Sequence, residues 1–272
     1  MMKKIKDSLV LDYSGERMEN SPGSVNYELS LQRYKFASKF VKNKFVLDIS
    51  CGTGYGSYHL ARTAKKVIGV DTDEEIIDYC RQKYVRENLE FEVIKPNNNI
   101  IKKFIGKFDS IVCIETLEHV EDQEAFLKNL KKYLKPNGSL YLTTPNNFRK
   151  VKPLIKFHTY EFDILELFNL LKCVFSDNNI NIYGQFKTNI LRNMSDKKGL
   201  SFRARIFSAL FRTIWVVDFK YIHFFRYIEH MNFYKKIGSF QRDYVNNSSI
   251  YKINPNKNFI NPVSSIFYIE KR

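Results

Sequence analysis

The chain has 272 residues, 44% of them hydrophobic and 15% aromatic, which is enough apolar material for one large core as well as for two small ones. Its four cysteines, Cys51, Cys80, Cys113 and Cys173, show no CxxC pairs and no regular spacing, so neither a disulfide framework nor a zinc site is expected and the chain reads as cytoplasmic. The net charge of +15 favours contact with something anionic (nucleic acid, a membrane surface or a phosphorylated substrate), unless it reflects only the Lys- and Asn-rich composition.

Residues 1–25 read as an irregular leader: a basic start without a following apolar run excludes a signal peptide, and Ser-Gly and Ser-Pro-Gly break the rest. Residues 27–42 carry helical periodicity, with Leu29, Tyr34, Phe36, Ala37, Phe40 and Val41 on one broad face. An alternating series follows. Strands are predicted at Lys44–Ile49, Lys66–Val70, Leu89–Ile94, Phe108–Ile114, Ser139–Thr143, Asn179–Tyr183 and Ser265–Glu270. Helices are predicted at Tyr55–Ala64, at Asp73–Glu87 with Asp73 as cap, at Asp122–Leu134 and at Thr159–Leu171. This order implies βαβ units: an α/β, Rossmann-like fold with a seven-stranded, mostly parallel sheet and helices on both faces. One domain over 26–272 is expected, with a basic, aromatic, helical insertion at about 190–255, before the last strand. No stretch of about 18 uncharged apolar residues appears, so no spanning helix is expected.

The first strand ends in Asp48 and runs into Ser50-Cys51-Gly52-Thr53-Gly54-Tyr55-Gly56. Gly52 and Gly54 allow backbone conformations and close ligand approach that a Cβ blocks, and the next helix offers free amides. A dinucleotide fingerprint needs a small third residue at position 57, where Ser57 stands, with Gly56 one place early. A carboxylate at the strand end, Asp48, would repel pyrophosphate but suits a ligand with an ammonium group. The second strand ends at Asp71, 17 residues after Gly54, close to the spacing at which an acid meets a ribose hydroxyl pair. Thr72 or Asp73 can cap the helix that follows.

Asp48-x-x-Cys51-Gly52-x-Gly54 followed by Gly69-Val70-Asp71 resembles motifs I and II of the class I S-adenosylmethionine-dependent methyltransferases. Phe108–Val120, with Glu115-Thr-Leu-Glu118-His119, resembles the post-motif segment of the type 11 and ubiquinone-biosynthesis-like branch, and Leu134–Leu140 its approach to strand five. Gly15–Met18, Arg33–Ala37, Thr144–Asn146 and Phe157–Phe162 resemble a subgroup found with surface-glycan biosynthesis. The resemblance implies S-adenosylmethionine as cofactor. It places cofactor-binding residues at Asp48, Cys51, Gly52, Gly54, Asp71, Thr72 and Glu115. The branch also carries an acid near residues 95–96 that accepts from the adenine amino group. Here Lys95-Pro96-Asn97 stands, so an Asn side chain or a backbone carbonyl takes that place.

Methyl transfer from a sulfonium chiefly requires that the acceptor be positioned, and an oxygen acceptor also benefits from a base. His158 is the first candidate for that base and His119 the second, because an imidazole titrates near neutrality. No Asn-Pro-Pro-Tyr and no Pro-Cys nucleophile occurs, which argues against a nucleobase acceptor. Residues 190–260 hold 13 Lys or Arg against 4 Asp or Glu, a net +9, with Phe202, Ile206, Phe207, Leu210, Phe211 and Ile214 near helical spacing. Such a stretch is a substrate lid, or lies on an anionic membrane surface through 202–240. The reading is an O-methyltransferase of a saccharide or other small molecule, phosphate-bearing in one version, without a metal. An RNA or protein methyltransferase docking through the basic insertion, and a non-catalytic binding domain, remain the alternatives.

Overall fold

The computed structural model describes residues 25–94, 99–147, 153, 155–175, 179–186, 249–253 and 264–271. The expectations for the leader, for Lys95-Pro96 and for most of the insertion lie outside these residues. The chain divides into two units, Met1–Phe186 with Ile250–Arg272, and Lys187–Ser249.

In chain order the elements are α1 (Val25–Ala37), β1 (Phe45–Ile49), α2 (Tyr55–Leu60), β2 (Lys66–Asp71), α3 (Glu74–Lys83), β3 (Leu89–Val93), α4 (Asn99–Phe104) and β4 (Phe108–Ile114). A 3-10 turn (Leu117–His119), α5 (Gln123–Tyr133), β5 (Leu134–Pro145), α6 (Ile164–Phe175), β6 (Asn179–Phe186), β7 (Ser249–Ile253) and β8 (Ser264–Glu270) follow. Among the described residues they form one sheet in the order β3-β2-β1-β4-β5-β8-β6-β7. Pairing is parallel from β3 to β5, and β8 runs antiparallel to both β5 and β6. The Rossmann-like class holds, but with eight strands where seven were expected. The eighth, β7, falls at the end of the insertion, where no strand was anticipated, and its place at the sheet edge is a matter of tertiary pairing.

Side-chain alternation of period two along the strands divides the core. Leu47, Ile49, Ile111, Cys113, Leu140 and Leu142 pack under α4, α5 and α6. Val46, Val112, Ile114 and Tyr141 pack under α1, α2 and α3. Asp48 shares the face of Val46, which puts a carboxyl into an otherwise apolar layer.

Two helices differ instructively from expectation. α1 stops at Ala37 rather than at residue 42, yet its inner face, Leu29, Ser30, Arg33, Tyr34 and Ala37, keeps helical spacing. α6 starts at Ile164 rather than at Thr159. A capping box sets that start: Asp163 Oδ1 accepts from Glu166 N at 2.9 Å, and Glu166 Oε2 accepts from Asp163 N at 3.0 Å. Asp73 caps α3 as its position predicts, and Asp122, expected as the first residue of its helix, caps α5.

Gly56 is where the fold tolerates no side chain. A Cβ there would lie 2.0 Å from Tyr34 Cζ, and the Tyr34 ring is itself buried and tied to Asp48. Gly56→Ala is expected to lower stability by roughly 1–3 kcal/mol or more, read as a shift of the urea midpoint. An unchanged midpoint would show that α1 packs elsewhere.

Candidate functional site

The strand order reverses between β1 and β4, and in open α/β sheets a ligand crevice lies at the carboxyl ends of the strands flanking that point. A cavity of about 450 Å³ opens there. It is lined by Ser50–Thr53 after β1, Asp71 and Thr72 after β2, Ile114–Thr116 after β4, and Pro145 at the end of β5. Ser50 and Glu115, at the ends of paired strands, hold left-handed φ of 56° and 51°. Such strain in residues with side chains clusters at functional sites.

The cavity gathers most of the expected residues. Cys51, Gly52, Asp71, Thr72, Glu115, His119 and His158 all line it. Gly52 takes φ 52°, and a Cβ there would meet nothing within 4 Å, so its backbone faces open space. Asp71 accepts from Gly52 N at 2.9 Å and from Asp73 N at 3.2 Å, one bond per oxygen. Each oxygen keeps a second lone-pair direction for a hydroxyl. Thr53 Oγ1 is buried at the same end and has no hydrogen-bond partner among the described residues. An open glycine backbone, a carboxylate and an orphan hydroxyl suit the ribose and amino-acid ends of S-adenosylmethionine.

Two expected cofactor residues do not line the cavity. Asp48 is fully buried behind the loop, where Ser57 donates to its Oδ2 at 2.6 Å and Tyr34 to its Oδ1 at 3.3 Å. Burial pushes its carboxyl up to about 7, against the lowering effect of those two hydrogen bonds and with a smaller push from Asp71. Burial, and then Asp48, push the Tyr34 hydroxyl well up, so it stays a donor. Asp48 therefore braces α1 and α2 beneath the loop instead of meeting a ligand ammonium. Gly54 is likewise required by packing: its φ is 78°, and a Cβ would lie 2.7 Å from Cys80 Sγ. The tight helix–strand approach reserved for a third glycine falls to Ser57 facing Gly69, where a Cβ would lie 2.6 Å from Ser57 Oγ.

A buried polar cluster forms the far wall. Arg33 of α1 reaches Glu115 (Nη1 to Oε2, 3.4 Å), and its Nε donates to Gln185 Oε1 at 2.8 Å. Thr143 donates to Glu115 Oε1 at 2.9 Å, and Thr144 to Glu118 Oε2 at 2.9 Å. Burial raises the Glu118 carboxyl well above the ordinary range, and the Glu115 charge adds to it. Sequence reasoning missed Arg33 as a site residue. Its signal was present: a charged residue in register with Leu29 and Ala37 on a helix's inner face.

His119 and His158 meet at the third wall, with ring centroids 4.7 Å apart and planes at 88°. Backbone ties bring them together. Thr159 N and Oγ1 donate to Glu118 O at 2.7 and 3.1 Å, and Thr159 Oγ1 also donates to Val120 O at 2.8 Å. Gln123 bridges Leu117 O and Tyr160 O. These bonds hold residues 158–160 out of a helix, which is why α6 begins late. His158 Nδ1 bonds to Glu161 Oε1, and His119 Nδ1 lies 3.2 Å from Phe157 O.

Comparison with known proteins agrees with this geometry. The chain is similar to the ubiquinone biosynthesis O-methyltransferase of Coxiella burnetii, at 36% identity over 126 residues, covering 46% of this chain and 54% of that one. It is also similar to a probable S-adenosylmethionine-dependent methyltransferase of Mycolicibacterium smegmatis, at 32% over 135 residues, 47% of this chain and 49% of the other. The chain thus spans about half the length of these curated relatives. Among solved structures, an S-adenosylmethionine-dependent methyltransferase of Thermotoga maritima superposes with a TM-score of 0.53 at 13% identity, over 91% of this chain and 92% of that one. The [4+2]-cyclase SpnF has the same TM-score, 0.53, at 13% identity, covering 94% and 84%, so fold alone does not name a reaction. The model of a methyltransferase domain matches residues 24–234. With that match over most of its length, the chain belongs to the methyltransferase-domain family, whose cofactor is S-adenosyl-L-methionine.

Proposed function

We propose that this protein transfers a methyl group from S-adenosylmethionine to an oxygen of a small-molecule acceptor, a saccharide in the version the glycan-subgroup resemblance favours. The observation that carries the reading is one cavity with two chemically distinct ends. Gly52, Thr53 and Asp71 suit the cofactor at one, and His119 and His158 face an acceptor at the other. The cofactor, when bound, supplies an electrophilic methyl with a neutral leaving group. The chain's own residues then have two tasks, to hold the cofactor at Asp71, Gly52, Cys51, Thr72 and the Glu115 wall, and to present an acceptor oxygen beside the two imidazoles. The relative named as an O-methyltransferase supports oxygen as the acceptor atom. The net +9 of residues 190–260 supports an acceptor that carries phosphate.

Calorimetric titration with S-adenosylmethionine tests the cofactor half. Wild-type protein is expected to bind it, and Asp71→Ala to bind it about 30–100-fold more weakly through lost charged hydrogen bonds. His158→Ala is expected to keep the cofactor affinity and to lose about 10²–10⁴-fold in turnover. Folded wild-type protein that binds no S-adenosylmethionine would overturn the enzyme reading in favour of a non-catalytic domain.

A further inference from the structure

We infer that Glu161 is the positioning residue of the base: its carboxylate fixes the Nδ1–H tautomer of His158 and leaves Nε2 as the proton acceptor on the cavity side. The inference rests on the methyl-transfer reading and decides between its two histidines, in favour of His158.

Two clamps build the pair. His158 and Glu161 stand three residues apart in a segment that is not helical, so their contact is not the automatic neighbourhood of a helix turn. On one side the 3-10 turn and α5 hold the backbone, with Thr159 donating to Glu118 O and Gln123 to Tyr160 O. On the other side the residue after the TPN sequence at the end of β5 holds it. Asn147 Nδ2 donates to Glu161 O at 3.3 Å, and Asn147 N donates to Phe162 O at 2.9 Å. The His158 side chain is 6% exposed and that of Glu161 16%, so little water competes for the bond between them. Of the pair, His158 lines the cavity and Glu161 acts through it.

A carboxylate can only accept, so it takes the proton on Nδ1 and leaves the lone pair on Nε2. It also faces the positive charge that forms when Nε2 takes a proton. As an acceptor hydroxyl bonds to the methyl carbon, its proton passes to His158 Nε2. The electron pair of the broken carbon–sulfur bond stays on sulfur, and His158 then returns the proton to solvent.

His119 is supported differently. Its Nδ1 meets the Phe157 carbonyl at 3.2 Å, which fixes the same tautomer but carries no charge. Its Nε2 lies 4.0 Å from Glu118 Oε1, in a carboxyl that burial, and then the Glu115 charge, hold well above the ordinary range. The two rings are 4.7 Å apart, so charge on one opposes charge on the other. The positive charge of the site therefore settles on the ring backed by Glu161.

The test reads the ring itself, in the full chain without an acceptor. Long-range proton–nitrogen correlation spectra, with His158 assigned by its loss in His158→Gln, report which nitrogen carries the hydrogen. Nδ1–H is expected in wild-type protein and Nε2–H in Glu161→Ala. Diethyl pyrocarbonate, which acylates an unprotonated imidazole nitrogen, reports the reactivity of Nε2 through the mass of the His158 peptide. Its rate is expected to fall about 5–10-fold in Glu161→Gln, whose amide still accepts from Nδ1–H but carries no charge. Glu161→Asp restores the charge and should recover part of the rate, which a residue that merely packs would not do. Nε2–H in wild-type protein, or a tautomer and a rate that Glu161→Ala and Glu161→Gln leave unchanged, would overturn the assignment. Should Glu161→Ala fail to fold, an unchanged rate in folded Glu161→Gln overturns it equally. S-adenosylmethionine affinity, which the folded Glu161 variants should keep, is measured separately. Its absence in wild-type protein would sink the methyl-transfer reading and leave the tautomer result standing.

Discussion

Replacing Arg33 by leucine is expected to lower stability by roughly 3–5 kcal/mol, because it strands buried partners that had formed around a charge. The Arg33 side chain is 7% exposed and faces Glu115, which is 19% exposed. Leucine fills part of the volume but leaves three groups worse off. Glu115 loses its ion-pair partner 3.4 Å away, and fully buried Gln185 loses the donor at its Oε1. Glu118 loses a positive charge that holds its raised carboxyl partly down. The tether from α1 to β6 is reduced to the bond that Gln185 Nε2 donates to Leu29 O at 3.2 Å. Urea unfolding monitored by circular dichroism measures the loss. Adding Glu115→Gln to the leucine variant removes the stranded charge and is expected to recover part of it. A midpoint for Arg33→Leu within experimental error of wild type would show that the cluster is not an energetic unit.

The second large effect is a pH dependence of stability centred on Asp48. Its carboxyl is fully buried and titrates at about 7 in the folded chain, against 3.8 for an ordinary aspartate. Between those values the folded state holds a proton that the unfolded state has released. Stability from this group is therefore fully present below pH 3.8, falls as pH rises, and levels off above about 7. At about 1.4 kcal/mol per pH unit, the window spans roughly 4 kcal/mol. Asp48→Asn cannot ionise. Its amide still offers an acceptor to Ser57, and its NH₂ can donate to the Tyr34 hydroxyl oxygen. The variant should match or exceed wild-type stability at pH 8, and its profile should lack the wild-type decline between pH 5 and 7. Urea titrations at four pH values on both proteins isolate the Asp48 contribution by difference. An identical slope in the two proteins would place the titration on another group.

Asp48 and Arg33 mark where sequence reading stops. Asp48 was visible as an acid at a strand end, and chemistry offered it a ligand ammonium. The period-two alternation that defines β1 also carries the contrary answer, because it turns Asp48 to the face of Val46, under α1 and α2. Nothing local says that Tyr34 and Ser57 wait there. Gly54 misled in a similar way: its φ of 78° was legible as a turn, but the atom that forbids its side chain is Cys80 Sγ, in another helix.

What the sequence by itself determined is local and periodic. Alternating apolar runs placed the seven anticipated strands, Asp73 announced a helix start, and the Gly52–Gly54 turn and Asp71 marked the crevice. Each depends on residues within a few positions of one another, where backbone geometry leaves few choices. Only the tertiary structure decided that β7 joins the sheet edge, that Arg33 closes on Gln185 across 152 residues, and that His119 lies against His158. Those contacts form because burying α1 and strapping Thr159 to Glu118 satisfy polar groups that no short segment could satisfy alone, and the far partners of such bonds leave no period in the chain.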